Sequence, residues 1–203
     1  MTLYNNQNME IENSIKENLK KNYLCLENLD KKSDQIKKII EHLIGARNNG
    51  KTIFTMGNGG SGSTSSHFVS DLLKTAIIND SDRFKAISLV DNVPVTLAWS
   101  NDVSYDCIFS EQLKNFLADG DIVIGFSGSG NSKNIVNAFE YAKTKGTICI
   151  AISGMSGGKI SKLADISLII PSNDMLIIES MHILICHCMI NAIREQGIPK
   201  FNY

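Results

Sequence analysis

The sequence predicts an α/β protein: a doubly wound, mostly parallel five-stranded sheet flanked by helices and preceded by an N-terminal helical arm. Three observations lead there. From Lys51 onward, short apolar runs rich in Ile and Val alternate with segments of helical spacing, the pattern of a parallel sheet covered on both faces. Two of those runs open into loops of small residues, Gly57-Asn58-Gly59-Gly60-Ser61-Gly62-Ser63 and Ser127-Gly128-Ser129-Gly130-Asn131-Ser132. Residues 8–49, by contrast, are charged and read as helical.

In the arm, Leu24, Leu26, Leu29, Ile36, Ile39, Ile40, Leu43 and Ile44 recur at mixed three-and-four spacing, giving two helices broken near Asn28 to Ser33. Such an arm cannot bury its stripe alone and packs on the main domain or on another copy. Beyond it, strands are expected at 52–56, 85–90, 121–126, 147–152 and 166–170. Helices are expected at 62–77, 94–99, 105–117, 132–144, 157–164 and 174–195. Right-handed crossovers stack these strands into one layer, and ligands in such layers sit at the carboxyl ends of the strands, where both loops fall. The 203 residues fit one domain, 1–203, with 1–49 as a helical oligomerisation arm and 50–203 as the ligand-binding core.

Strand, loop of small polar residues, helix start is a common way to hold a phosphate: glycines let the backbone approach, and free amides at the helix N-terminus face the anion. Serine hydroxyls add hydrogen bonds without bulk. A tight turn needs one Gly or Asn, so two serine-rich loops point to a phosphorylated small molecule. A competing motif is present. Gly57, Gly59 and Gly62 satisfy G-x-G-x-x-G, and Asp91 follows the next strand as a ribose-binding acid would. Asp91 lies 29 residues past Gly62, where that fingerprint has ~20. Ser61, Ser63, Thr64, Ser65 and Ser66 look more like a small-phosphate nest, and the second serine loop has no role in a dinucleotide site. No nucleotide cofactor is expected.

Net charge is −1 with no basic stripe, which gives nucleic-acid binding no electrostatic support. The start is polar and no apolar run approaches the ~20 residues of a membrane span. The five cysteines (25, 107, 149, 186, 188) contain no CxxC pair and read as reduced core thiols. A cytoplasmic protein is expected.

At the two loops the chain resembles the sugar isomerase (SIS) domain family, and within it the sedoheptulose 7-phosphate (phosphoheptose) isomerases. The matching stretches are GNGGSGSTSSHF at 57–68, WSNDVSYDCIFSEQL at 99–113, DIVIGFSGSGNSKNIVNAFEYAK at 121–143, SGGKISKLADISLIIPS at 156–172 and IIESMHILICH at 177–187. SGSGNS alone marks only a SIS domain; GNGGS, His67, Asn101-Asp102 and His187 together narrow it to this branch. The resemblance implies that Asn58, Gly59, Gly60 and Ser61 line the substrate, that Ser127, Gly128, Ser129 and Ser132 grip its phosphate, and that Asn101 and Asp102 contact the sugar. It also implies a catalytic carboxylate at Asp71, a catalytic imidazole at His187, and a contact to both substrate and metal at Glu179. A homotetramer with sites at subunit interfaces follows from the same resemblance.

Three positions depart from the family pattern. Asp71 stands for a Glu, retracting the carboxylate by one methylene, although a general base must come within ~2.6–3.2 Å of its proton. Glu179 stands for a Gln, adding a charge beside an anionic substrate. Gly128 stands for a Thr.

Aldose–ketose isomerisation moves a proton between adjacent carbons through an enediol and needs a base at carbon and an acid at oxygen. Asp71 and His187 suit those roles. His67 and Asp71 are spaced i,i+4, on one helix face, as metal ligands often are. Some family members bind zinc at the positions of His67, Asp71, Glu179 and His187. Eight residues separate Glu179 from His187, or ~12 Å of helix, so both reach one ion only if their side chains lean together or two subunits contribute. From the residues alone, His187 and His182 in an apolar run read equally as core histidines, and Asp71 as a solvated carboxylate. Isomerisation of another sugar phosphate, and a non-catalytic phosphosugar-binding or adaptor module, stay open.

Overall fold

The computed structural model describes residues 2–79 and 82–201, with side chains from residue 9; positions 1, 80–81 and 202–203 lie outside the described residues. The arm is two helices, α1 (Thr2–Asp30) and α2 (Ser33–Asn48), as expected. α1 contains neither Gly nor Pro, the two strongest helix breakers. Its end is a turn in which the Lys32 amide donates to the Leu29 carbonyl at 2.9 Å. α2 buries Ile39, Leu43 and Ala46 at spacings of four and three, so its stripe covers the sheet. α1 buries Cys25 and Leu29, whereas Ile11, Ile15, Leu19 and Tyr23, each four residues apart, stay exposed.

The strands are β1 (Thr52–Gly57), β2 (Lys85–Ser88), β3 (Ile122–Ser127), β4 (Ile148–Ser153) and β5 (Ile166–Ile169). They form one sheet in the order β2-β1-β3-β4-β5, and every pairing is parallel. The chain moves outward from β1 to β2 and then returns across β1 to continue with β3. The order therefore reverses between β1 and β3, where Gly57 pairs with Phe126. That switch point opens a crevice at the strands' carboxyl ends.

The helices of the core are α3 (Gly59–Ser70), α4 (Val93–Asp102), α5 (Ile108–Phe116), α6 (Lys133–Lys143), α7 (Gly158–Leu163) and α8 (Met175–Arg194). One face of the sheet, with Ile53, Ile122, Ile124 and Phe126, packs on α2, α3 and α8. The other, with Phe54, Met56, Val123 and Cys149, packs on α5, α6 and α7. α6 lies so close to β3 that a Cβ on Gly125 would stand 2.9 Å from Ile135 and 3.0 Å from Phe139.

Several expected boundaries are corrected. α3 starts three residues before 62, because the glycines of the loop already turn helical, and at Asp71 it widens into a π-turn, Asp71–Thr75. The segment expected to be helical over 105–117 divides into a 3₁₀ turn, Tyr105–Cys107, and α5. α8 is long and apolar enough by composition to cross a membrane, which the sequence reading denied. In the fold Ile178, Met181, Ile185, Cys186, Met189 and Ile193 are buried, the hydrophobicity of a core helix. All five cysteines are free; Cys25, Cys149 and Cys186 are buried, but Cys188 is exposed rather than a core thiol.

Candidate active site

The two serine loops meet at the switch point and enclose a cavity of about 200 Å³ lined by Asn58, Ser61, Ser127, Gly128, Ser129, Ser132, Met175 and Glu179. In the second loop the Ser127 hydroxyl accepts from the Gly130 amide at 3.1 Å and lies 3.4 Å from the Ser132 hydroxyl. Gly130 takes a φ of +66° with the Gly157 carbonyl where a Cβ would be, so only glycine lets the loop lie this close to the next one. The N-terminal ends of α3 and α6 both begin here, and their unpaired amides favour an anion.

An asparagine pair that the sequence reading missed joins the loops. Asn58 Nδ2 donates to Asn134 Oδ1 at 3.1 Å, and Asn134 Nδ2 donates to Asn58 Oδ1 at 2.9 Å. The Tyr105 hydroxyl also donates to Asn58 Oδ1, at 2.8 Å. Asn134 is 1% exposed, a buried amide in the first turn of a helix, and that placement was the signal available. One reading of the first loop is corrected. Ser65 donates to Thr55 at 2.7 Å and lies 3.1 Å from Ser88, so this hydroxyl bolts α3 to the sheet and does not extend a phosphate nest.

α3 and α8 run side by side in the same direction, so that Gly60 faces Glu179 and His67 faces His187. At the lower level three sequence-predicted residues come together. His187 Nε2 and His67 Nε2 are 3.1 Å apart, with Asp71 Oδ2 3.4 Å from His67 Nε2 and 3.8 Å from His187 Nε2. The Thr75 hydroxyl donates to Asp71 Oδ1 at 2.9 Å, leaving Oδ2 for the histidines. Both imidazoles are half exposed while Asp71 is 15% exposed, so the carboxylate is sheltered and the rings open to solvent. Two Nε2 atoms at this distance share a proton or a cation, since two bare lone pairs would repel.

Glu179 does not join that cluster. Its carboxylate rests against Gly60 in the first turn of α3, where the helix N-terminus offsets the charge that Gln lacks. Gly128, the third departure, has a partner too: the Met175 sulfur occupies the space of its missing side chain. Asn101 and Asp102 lie apart from the cavity, exposed at the end of α4 and bonded to each other at 2.8 Å. His182 is the core histidine. It is fully buried 5.9 Å from the Phe126 ring, and neither ring nitrogen reaches a hydrogen-bond partner. Burial lowers its pKa to about 4.

A family model described as "SIS domain" matches residues 20–154. The chain is 37% identical over 188 residues to a phosphoheptose isomerase of Sulfurimonas denitrificans, covering 90% of this chain and 94% of that protein. It is 38% identical to the Helicobacter pylori phosphoheptose isomerase, covering 91% and 93%. A solved phosphoheptose isomerase from Francisella tularensis superposes with a TM-score of 0.84 at 27% identity, over 90% of this chain and 97% of that one. The Neisseria gonorrhoeae phosphoheptose isomerase gives 0.85 at 25% identity, over 91% and 99%. With the serine loops at the switch point, the all-parallel sheet and these likenesses along nearly its whole length, the chain belongs to the SIS domain family, in the branch of the phosphoheptose isomerases.

Proposed function

We infer that the protein is an aldose–ketose isomerase that converts sedoheptulose 7-phosphate to D-glycero-D-manno-heptose 7-phosphate through an enediol. The observation that carries this reading is the placement of two unlike groups of residues on the same pair of helices. The serine-loop cavity lies at the level of Gly60 and Glu179, and the His67–Asp71–His187 cluster at the level of His187. Eight residues of α8 between those levels amount to ~12 Å. An open-chain ketoheptose 7-phosphate, with bonds of ~1.5 Å in a staggered chain, reaches roughly 9 Å from phosphorus to C2. Held by its phosphate at Ser127, Ser129 and Ser132, such a chain lays C1 and C2 toward the cluster, and side chains close the remaining gap.

Asp71 Oδ2 then takes the proton from carbon, its geometry fixed by Thr75 on the other oxygen. His187 gives and takes the proton at the adjacent oxygen, and His67 Nε2 shares the proton that passes through the pair. The sheltered carboxylate and the paired imidazoles favour this over a binding-only module, which has no use for a buttressed base. Incubation with sedoheptulose 7-phosphate should yield an aldoheptose 7-phosphate; if other ketose phosphates turn over and this one does not, the seven-carbon assignment fails.

The same three side chains fit a zinc ion. Their ligand atoms all lie within 4.8 Å of one another, and the two imidazole nitrogens at 3.1 Å approach the ~3.3 Å edge of a tetrahedron with ~2.0–2.1 Å bonds. Zinc held by His67, Asp71 and His187 would take the lone pairs that otherwise hold the shared proton, so in a loaded site the ion would polarise the substrate's oxygens in place of the His187 acid. Glu179, against Gly60, is the fourth ligand only if its side chain swings down α8.

The oligomeric state belongs to the same reading. Ile11, Ile15, Leu19 and Tyr23 form an exposed row along α1, which suits helix pairing between copies in a homotetramer of cytoplasmic enzyme. Light scattering on the eluted protein tests it.

A further inference from the structure

The G-x-G-x-x-G run, part of the first serine loop, lines a second cavity on the β2 side of Asn58, a residue that also lines the phosphate cavity; Ser127–Ser132 and the histidines are not in its lining. It has a volume of about 630 Å³, within the ~300–1,000 Å³ of small-molecule sites. The three glycines have three separate jobs. A Cβ on Gly57 would run into the backbone of Ser61 and Gly62, so this glycine makes the tight turn. Gly62 would meet the Gly57 carbonyl at 3.0 Å and Val90 at 3.8 Å, so it allows the helix to lie on the strand. Gly59, at φ +55°, has nothing within 4 Å and leaves its backbone open to a ligand. Dinucleotide-binding turns divide their glycines in this way.

The acid is in place as well. Asp91, past the end of β2, lines this cavity and accepts the Ser66 hydroxyl on Oδ1, which leaves Oδ2 to a ligand. Thr96 borders the same space, with its Oγ1 buried and without a hydrogen-bond partner. Val90, Ile108 and Phe109 supply an apolar wall. Asp91 is the one charged side chain in the lining, which disfavours an anion and suits a neutral polyol.

We propose that this cleft binds the vicinal diol of a neutral ring sugar, with Asp91 Oδ2 accepting from the diol and the apolar wall covering the carbon face. The diol comes either from a free glycoside or from the ribose of a nucleoside, and the site borders the phosphate cavity through Asn58. The test is an amide NMR titration of the full chain with inorganic phosphate present to occupy the serine loop, using adenosine, 2′-deoxyadenosine and methyl β-D-ribofuranoside. Adenosine, the riboside or both should shift Gly59, Asp91 and Thr96. Removing the 2′-hydroxyl should weaken binding by about tenfold or more, the scale of one hydrogen bond to a charged acceptor. Asp91→Ala should abolish the shifts while phosphate still perturbs Ser127–Ser132. Binding of adenosine alone identifies a nucleoside, and equal binding of the riboside a free sugar. No shift with any probe overturns the proposal, as does binding indifferent to both the 2′-hydroxyl and Asp91.

Discussion

Asp71 and Thr75 are joined by a hydrogen bond of 2.9 Å inside the π-turn that ends α3, and that bond decides which carboxylate oxygen meets the histidines. The wider turn also rotates Asp71 relative to a continuous α-helix. π-Turns inside helices often occur at functional sites, and here the turn begins at the residue whose side chain is one methylene short of the family's Glu. The turn and the Thr75 bond together set where this shorter carboxylate stands relative to the two imidazoles.

Replacing the base should separate chemistry from binding. Asp71→Asn keeps the shape and the Thr75 contact but loses the charge, so turnover should fall by roughly 10²–10⁴-fold. Phosphosugar affinity, measured by calorimetry, should change little. Thr75→Val should lower turnover by a smaller factor, since it frees the carboxylate without removing it.

Metal content follows from the His67–His187 pair. Protein purified without chelator should carry zinc, and His67→Ala should lower the bound metal by well over tenfold because it removes one of three ligands. Elemental analysis of both proteins reads this directly. Equal metal in the two would place the ion elsewhere.

Gly128 and Met175 should behave as a coupled pair. A Thr at 128 puts a Cβ where the Met175 sulfur sits, and overpacking of this kind costs about 1–3 kcal/mol. Met175→Ala should recover most of that loss in the double variant, seen in denaturation midpoints. Additive losses would mean the two side chains do not compete for one space.

His182 should make the fold acid-sensitive. Its folded pKa is lowered to about 4 from an ordinary 6.5, so between those values the unfolded chain takes up a proton that the folded chain refuses. The stabilisation is complete above pH ~6.5 and is lost at about 1.4 kcal/mol per pH unit as the pH falls toward ~4. His182→Phe should flatten that slope, so the wild-type loss between pH 7 and pH 5 should exceed the variant's by about 2 kcal/mol.

The sheet, its parallel strands and the break in the arm were legible because Ile- and Val-rich runs and three-and-four spacing report backbone period directly. The serine loops were legible for the same reason, since glycine and serine at strand ends have few other uses. The meeting of His67, Asp71 and His187 was not. Residues 120 apart in sequence come together only through the packing of α3 on α8, which pattern cannot report. The Asn58–Asn134 bond and the π-turn were missed because both depend on tertiary fit. Glu179 was assigned by resemblance to the cluster, yet it rests at Gly60, where the N-terminus of α3 accepts a carboxylate. The exposed carboxyl end of α4 leaves Asn101 and Asp102 apart from the cavity within one chain.

The most direct test of enediol chemistry is proton exchange. Sedoheptulose 7-phosphate should be incubated with the protein in D₂O, with and without zinc, and followed by NMR. An aldoheptose 7-phosphate and deuterium at C1 or C2 should appear, and both should be lost in Asp71→Asn. Folded, phosphate-binding protein that gives neither product nor exchange would contradict enediol chemistry and leave a phosphosugar-binding module in its place.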